Sequence, residues 1–204
     1  MKKIKLVDKV FPSETSEESY KFGIKYTFNK KPLILSKTSF YIPNHSDFVI
    51  GKVVYVVSDY YKLKINDCFT GILPILSFYN VTKKNRPRLE VGDYVYCKIV
   101  NPPSKNKSDN LTYKNINNIK GTELLLTCET EDLGKLKFDE TDVFSTIFEL
   151  DCYKVNLLFY RNVLSELGKK YKFVIVIGFN GLIFLKSDSL ETLGDLVAEI
   201  RKIN

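Results

Sequence analysis

Residues 47–78 read DFVIGKVVYVVSDYYKLKINDCFTGILPILSF. Three apolar, β-branched and aromatic runs follow one another within this stretch, DFVIGKVVYVVS, YYKLKIN and FTGILPILSF. They are parted only by the turn signals Ser58-Asp59 and Asn66-Asp67. Runs this short and this closely spaced leave no room for intervening helices, so they predict strands joined by tight turns. A fourth run, YVYCKIV, follows Val91-Gly92-Asp93, and a fifth, TELLLTCE, comes after a longer loop. Five short strands fit a small closed barrel, and the OB-fold is the commonest such barrel that binds nucleic acid.

The flanks read differently. Residues 1–46 hold short β-like runs, KFGIKYTF and PLILSKTSFYIP, and a polar acidic loop, SETSEES. That is too little for a core of its own, so a small β arm leaning on the barrel is expected. Residues 102–118, PPSKNKSDNLTYKNINN, are biased to Asn, Lys and Ser and predict an exposed loop. In the last third, TDVFSTIFEL places Val143, Phe144, Ile147 and Phe148 at helical spacing, and RNVLSELG does so with Val163, Leu164 and Leu167 before Gly168 closes the helix. Residues 151–159 suit strand or helix. Asp188 and Glu191 resemble a capping box ahead of a final helix carrying Leu190, Leu193, Leu196, Val197 and Ile200. The expected order there is helix, helix, strand, turn, strand, helix.

Between the last two apolar runs stands Gly178-Phe179-Asn180-Gly181. A G-x-x-G between two helices is the backbone clamp with which KH domains hold single-stranded RNA. Here the two expected helices meet within residues 150–161, which contain no glycine. Asn180-Gly181 is instead a two-residue hairpin signal of the type I′ kind, so Gly178, Asn180 and Gly181 are read as a structural turn.

Composition bounds the function. The chain has 204 residues, 44% of them hydrophobic and 27% charged, with a net charge of +7. No apolar run approaches the length of about 18 residues that a membrane span needs, and no signal-peptide pattern opens the chain, so a soluble, unexported protein without membrane partners is expected. Residues 1–46 hold 9 basic and 4 acidic side chains, residues 47–101 hold 8 and 5, and residues 102–204 hold 14 and 15. A basic front and middle suits contact with a polyanion, and equally a solvated lysine-rich surface. Cys68, Cys97, Cys128 and Cys152 stand singly with one histidine, His45, so reduced, half-buried thiols are expected and no metal site. The sequons at Asn80 and Asn110 carry no weight in a chain that is not exported.

No phosphate loop, dinucleotide fingerprint, nucleophile elbow or zinc-protease motif is present. The acidic clusters ETED at 129–132 and DETD at 139–142 sit in turn-like or helix-starting surroundings, where acids favour a helix N-terminus. No catalytic residue and no cofactor is expected.

The stretches YIPNHSDFVIGKVVYVVSDYYKLKIN and LSFYNVTKKNRPRLEVGDYVYCKIV resemble the S1-type barrel of the ribosomal-RNA-processing protein forty (exosome component three) family, cap subunits of the RNA exosome. TKKNRP followed by VGD is the most specific part, and GFNG is similar to the G-x-N-G signature of that family's KH-type domain. The resemblance covers essentially the whole chain and implies a mainly β plus α+β fold. Its parts are an N-terminal β arm at 1–46, an S1-type OB barrel at 47–130 and a C-terminal KH-type domain at 131–204. It further implies a noncatalytic, RNA-binding subunit that bridges RNase-PH-like ring subunits and contacts other exosome subunits. Such a subunit guides single-stranded RNA toward a separate 3′-to-5′ exonuclease, in rRNA processing and RNA degradation, in the nucleus, nucleolus and cytoplasm. A paralogous cap subunit and a free-standing RNA-binding module in translation or RNA stability are the alternatives.

OB barrels hold single strands by stacking bases on aromatics and by a basic track along the phosphates. Tyr60, Tyr61 and Phe69 near strand ends, and Lys62 and Lys64 two apart on one strand face, are candidates for RNA or for the ring interface. So are Lys83, Lys84, Arg86 and Arg88, the densest basic cluster in the chain. TGILPIL stands where strongly binding S1 barrels carry a Gly-Phe-x-His type strand, which points to modest binding by the subunit alone.

Overall fold

The computed structural model describes residues 6–10, 23–28, 31–35, 41–82, 84–101, 123–138, 143–160 and 163–203. Lys83, the 102–118 loop and the 139–142 acidic cluster lie outside them. At the N-terminus, β1 (Leu6–Val10), β2 (Gly23–Phe28) and β3 (Lys31–Leu35) form an antiparallel sheet in the order β1-β2-β3.

The five runs expected as strands form β4 (Phe48–Val56), β5 (Tyr60–Lys64), β6 (Thr70–Pro74), β7 (Tyr94–Asn101) and β8 (Glu123–Thr127). They pair in the order β4-β5-β6-β8-β7, and β7 closes the ring on β4 with Val49 opposite Cys97. β6 and β8 run parallel, Gly71 beside Leu124, and the other pairings are antiparallel. Five strands in Greek-key order make an OB barrel. Alternation along β5 explains its core: Tyr61 and Leu63 point inward and are buried, while Tyr60, Lys62 and Lys64 point outward. Val49, Val53, Leu63, Leu73, Val95, Cys97, Ile99, Leu124 and Leu126 fill the interior. A two-residue strand, β9 (Gly134–Lys135), then pairs with the start of β7. It is tied there by the Lys135–Asp93 ion pair at 2.7 Å.

The last third is an α+β unit. β10 (Phe144–Glu149) leads into α1 (Cys152–Tyr160) and α2 (Val163–Lys170), then β11 (Phe173–Ile177), β12 (Leu182–Ser187) and α3 (Leu190–Arg201). The sheet order is β10-β12-β11, all antiparallel. Three sequence expectations are corrected here. The helix expected over TDVFSTIFEL is strand β10, so the unit reads strand, helix, helix, strand, turn, strand, helix. Both faces of β10 are covered: Phe148 joins the core under the helices, and Ile147 joins a second apolar cluster facing the barrel. The adjacent pairs Val143-Phe144 and Ile147-Phe148 put one apolar side chain on each face of the strand, which removes the two-residue alternation and mimics helical spacing. Gly168 does not end α2, which runs on to Lys170 with two lysines in its last turn. Asp188 does not cap α3: Ser189 occupies the N-cap with no side-chain cap bond, and Asp188 faces Lys172 at 3.4 Å.

Barrel and α+β unit meet along Ile50, Leu136 and Phe184, with Tyr94, Tyr96, Phe138, Ile147, Val176 and Leu182 packed around them. The GFNG turn fastens this seam. Gly178 N–H donates to Leu182 O at 2.9 Å and Gly181 N–H to Gly178 O at 3.0 Å, with the positive φ of 92° on Gly181 and not on Asn180. The turn is therefore a three-residue hairpin loop with its left-handed residue last, not the type I′ turn expected. Asn180, freed from turn duty, reaches across to the barrel. Its Nδ2 donates to Ile50 O and Ile65 O, both at 2.8 Å, and its Oδ1 accepts from Ile50 N–H at 3.1 Å. Phe179 N–H donates to Phe48 O at 2.8 Å, and its ring packs on the barrel core. A Cβ at Gly178 would strike Asn180 Oδ1 and lie 2.8 Å from Ile50 N, so only glycine permits this approach.

Candidate nucleic-acid interface

The outward face of β4 and β5 gathers the chemistry that single-stranded RNA requires. Register places Lys52 opposite Lys64 and, past a bulge between Val53 and Tyr55, Tyr55 opposite Lys62. Tyr60 follows Lys62 on the same face of β5, since residues two apart in a strand share a face. Two tyrosines and three lysines thus share one surface. Tyr55 is 66% exposed, whereas Tyr61 is 4% exposed.

Not every lysine is free to meet a phosphate. Lys62 Nζ lies 2.6 Å from Glu123 Oε1, which draws on a carboxylate side chain only 9% exposed, and this hydrogen bond raises the Lys62 pKa. Lys64 pairs with exposed Asp67 at 2.7 Å, an interaction that raises the lysine and lowers the acid. Lys52 Nζ sits 5.6 Å from the centre of the Tyr94 ring. A phosphate on this face would compete with carboxylates at two of the three lysines.

Among the sequence candidates, Tyr60, Lys62 and Lys64 come together on this face. Tyr61 does not, and its candidacy is corrected: it lies in the barrel core, edge-on to Phe78 at 6.3 Å, with its hydroxyl donating to Pro87 O at 2.5 Å. Phe69 packs half-buried against the same core, which leaves it little face for a base. Lys84 and Arg88 are exposed on the β6–β7 connection, and Arg86, also exposed there, holds a contact within the chain. That connection is anchored by the Tyr61 hydroxyl, by buried Leu89 and by the Thr82–Asn85 turn. Gly178, Asn180 and Gly181 serve the seam described above. Lys52 was missed because three successive buried residues, 49–51, precede it, and Tyr55 because the bulge breaks the alternation that betrays an outward face.

Other groups are structural. Asp93 of VGD accepts from Glu90 N–H at 2.8 Å and pairs with Lys135; burial opposes its charge, but these two partners outweigh it and hold the carboxyl below its usual range. The four cysteines are free, with Cys97 and Cys128 fully buried, not half-buried, and burial pushes both thiols up. Cys68 is exposed and Cys152 intermediate. His45 is exposed, with Ser46 Oγ 2.8 Å from its Nδ1. Glu129, Glu131 and Asp132 are exposed, and among the described residues no three His, Cys, Asp or Glu side chains gather to hold a metal. No described helix is long and apolar enough to cross a membrane.

An OB barrel with an aromatic and basic outer face, sealed onto an α+β unit, defines a protein of the S1-domain class. Residues 41–122 match the S1 domain of the exosome complex component RRP40 family. Exosome complex component rrp40 of Schizosaccharomyces pombe is 28% identical over 196 residues, covering 94% of this chain and 76% of that protein. RRP40 of Saccharomyces cerevisiae is 29% identical over 159 residues, covering 74% of this chain and 58% of the relative. The human protein is 29% identical over 156 residues, covering 74% of this chain and 50% of its own length. The chain thus spans between half and about three quarters of these relatives. A solved structure described as an exosome complex RNA-binding protein shares the fold, with a TM-score of 0.58 at 22% identity over 80% of this chain and 86% of that one. Over residues 41–122 the chain carries the S1 domain of the exosome complex component RRP40 family, and across most of its length it is similar to RRP40 proteins.

Proposed function

We propose that this chain is a noncatalytic, RNA-binding cap subunit of the RNA exosome, guiding single-stranded RNA toward a separate 3′-to-5′ exonuclease. The observation that carries the RNA contact is the shared outward face of Tyr55, Tyr60 and Lys62, with Lys52 and Lys64 beyond them. Every base has a π-face, so stacking on tyrosines tolerates any sequence, as a conduit for many RNAs requires. The division into an arm at 1–46, a barrel at 47–130 and a KH-type domain at 131–204 belongs to the same reading. So does action in nucleus, nucleolus and cytoplasm beside RNase-PH-like ring subunits.

The segment 83–88 is assigned to the ring. Lys84, Arg86 and Arg88 share the β6–β7 connection with exposed Leu76 and Tyr79, and Tyr61 holds that connection rigid. Arginine, tyrosine and apolar groups on a pre-formed loop suit a protein partner. Fluorescence anisotropy with single-stranded RNA tests the division of labour. Tyr55→Ala with Tyr60→Ala removes two stacked bases at about 1–3 kcal/mol each, so affinity falls at least about tenfold. Changing Lys83, Lys84, Arg86 and Arg88 to Ala abolishes assembly with the ring while RNA crosslinking by the free chain persists. Unchanged affinity in the tyrosine variant, or lost crosslinking with intact assembly in the basic variant, refutes the assignment.

A further inference from the structure

Where the RNA face meets the seam, barrel and α+β unit enclose a cleft of about 450 Å³. Its barrel wall carries Lys52 and Lys64, side by side in register, Asp67, which pairs with Lys64, and Tyr94. The opposite wall carries Glu149 and Asp151, at the end of β10 and just ahead of α1. The volume lies within the range of about 300–1,000 Å³ typical of small-ligand pockets. Its walls are pre-formed. Leu150, between the two acids, donates its N–H to Gly181 O at 2.8 Å, so the turn that locks the seam also fixes the backbone from which both acids project. Neither carboxylate accepts a hydrogen bond among the described residues, and Glu149 acts on Lys64 only through its charge. Asn66 and Asn180, which also line the cleft, are by contrast saturated with backbone partners.

We propose that this cleft is a binding pocket for a single guanine nucleotide of an RNA strand, with the base edge against Glu149 and Asp151 and the phosphate against Lys52 and Lys64. The inference rests on the RNA-binding reading above. Lys52 and Lys64 belong both to the outward face and to the cleft mouth, so a strand lying on Tyr60 and Tyr55 arrives there. Ionised carboxylates only accept hydrogen bonds. Guanine is the base whose pairing edge presents two adjacent N–H donors, at N1 and N2. Adenine and cytosine set a ring acceptor beside their amino group, and uracil flanks its single N–H with two carbonyls, so each turns a repelling oxygen or nitrogen on the acids. Tyr94 supplies an aromatic wall.

The full chain, labelled with ¹⁵N, is titrated with GMP, AMP, CMP and UMP, and separately with labelled oligouridylate and guanine-containing oligonucleotides. The expected result is a GMP affinity at least about fivefold above the other three, the lower end of what one two-pronged base contact discriminates. Its shifts should centre on residues 149–152 and 180–182. Glu149→Gln and Asp151→Asn, each nearly isosteric and checked by thermal melting, should bring the GMP to UMP ratio to about one. Equal affinities for the four nucleotides, shifts confined to β4 and β5, or a preference that survives both substitutions overturns the pocket. Oligonucleotides that bind without guanine preference overturn the pocket alone, whereas oligonucleotides that do not bind overturn the RNA reading as well.

Discussion

Asn180→Ala should loosen the seam between barrel and α+β unit more than any other single polar substitution in it. The side chain makes three hydrogen bonds to barrel backbone, two donated to Ile50 O and Ile65 O at 2.8 Å and one accepted from Ile50 N–H at 3.1 Å. Ile50 and Ile65 are buried, so alanine leaves three backbone groups without partners. An intramolecular hydrogen bond contributes about 1 kcal/mol net, and a buried group left unpaired costs about 1–3 kcal/mol. The neighbouring cleft admits water that rehydrates part of the gap, which sets the loss near 3 kcal/mol, at the lower end for three bonds. For a chain of this size that is a fall in Tm of about 6–12 °C. Circular dichroism melting supplies the measurement. Asn180→Asp sharpens it: the acceptor for Ile50 N–H survives, but a carboxylate then faces two carbonyl oxygens, so the fall should at least equal that of alanine. An Asn180→Ala protein melting within about 1 °C of the parent refutes the lock.

Gly181→Ala puts a Cβ on a φ of 92° and 2.6 Å from Leu150 O. It should destabilise by about 2–3 kcal/mol, and unchanged melting with lost RNA affinity would return the turn to an RNA-clamp role. Tyr61→Phe removes only the hydroxyl that holds Pro87 O, so Tm should fall by about 2–4 °C, read by the same melts; no change would mean that the 83–88 segment has another anchor. Asp93 has a depressed folded-state pKa, so its stabilisation is present above the unfolded-state value of 3.8 and is lost as pH falls through the folded value. Urea titrations from pH 7 to pH 3 should therefore show the parent's advantage over Asp93→Asn shrinking toward acid; a constant gap contradicts the pairing with Lys135 and Glu90.

The barrel was legible because its strands are short, apolar and β-branched, because β5 alternates a wet face with a dry one, and because Ser58-Asp59, Asn66-Asp67 and Val91-Gly92-Asp93 mark strand ends. The same alternation could have separated Tyr60 from Tyr61, since Lys62 and Lys64 declare the outer face of β5. β10 was not legible, because Phe148 packs under the helices and Ile147 toward the barrel, and a strand with apolar residues on both faces shows no two-residue alternation. Tyr55 was hidden by the bulge in β4. GFNG was recognisable as a structural turn, but not as a lock: its partners, Ile50 and Ile65, lie more than a hundred residues away along the chain. The placing of Glu149 and Asp151 across a cleft from Lys52 and Lys64 is likewise a product of the seam, which local sequence does not encode.

Affinity purification of the chain from its native cell, followed by mass spectrometry, tests the central claim most directly. A cap subunit should bring down RNase-PH-like ring subunits in near-equal amounts, and should lose them when Lys83, Lys84, Arg86 and Arg88 are changed to alanine. Recovery of the chain with RNA but without any RNase-PH-like partner would contradict the account and leave a free-standing RNA-binding module.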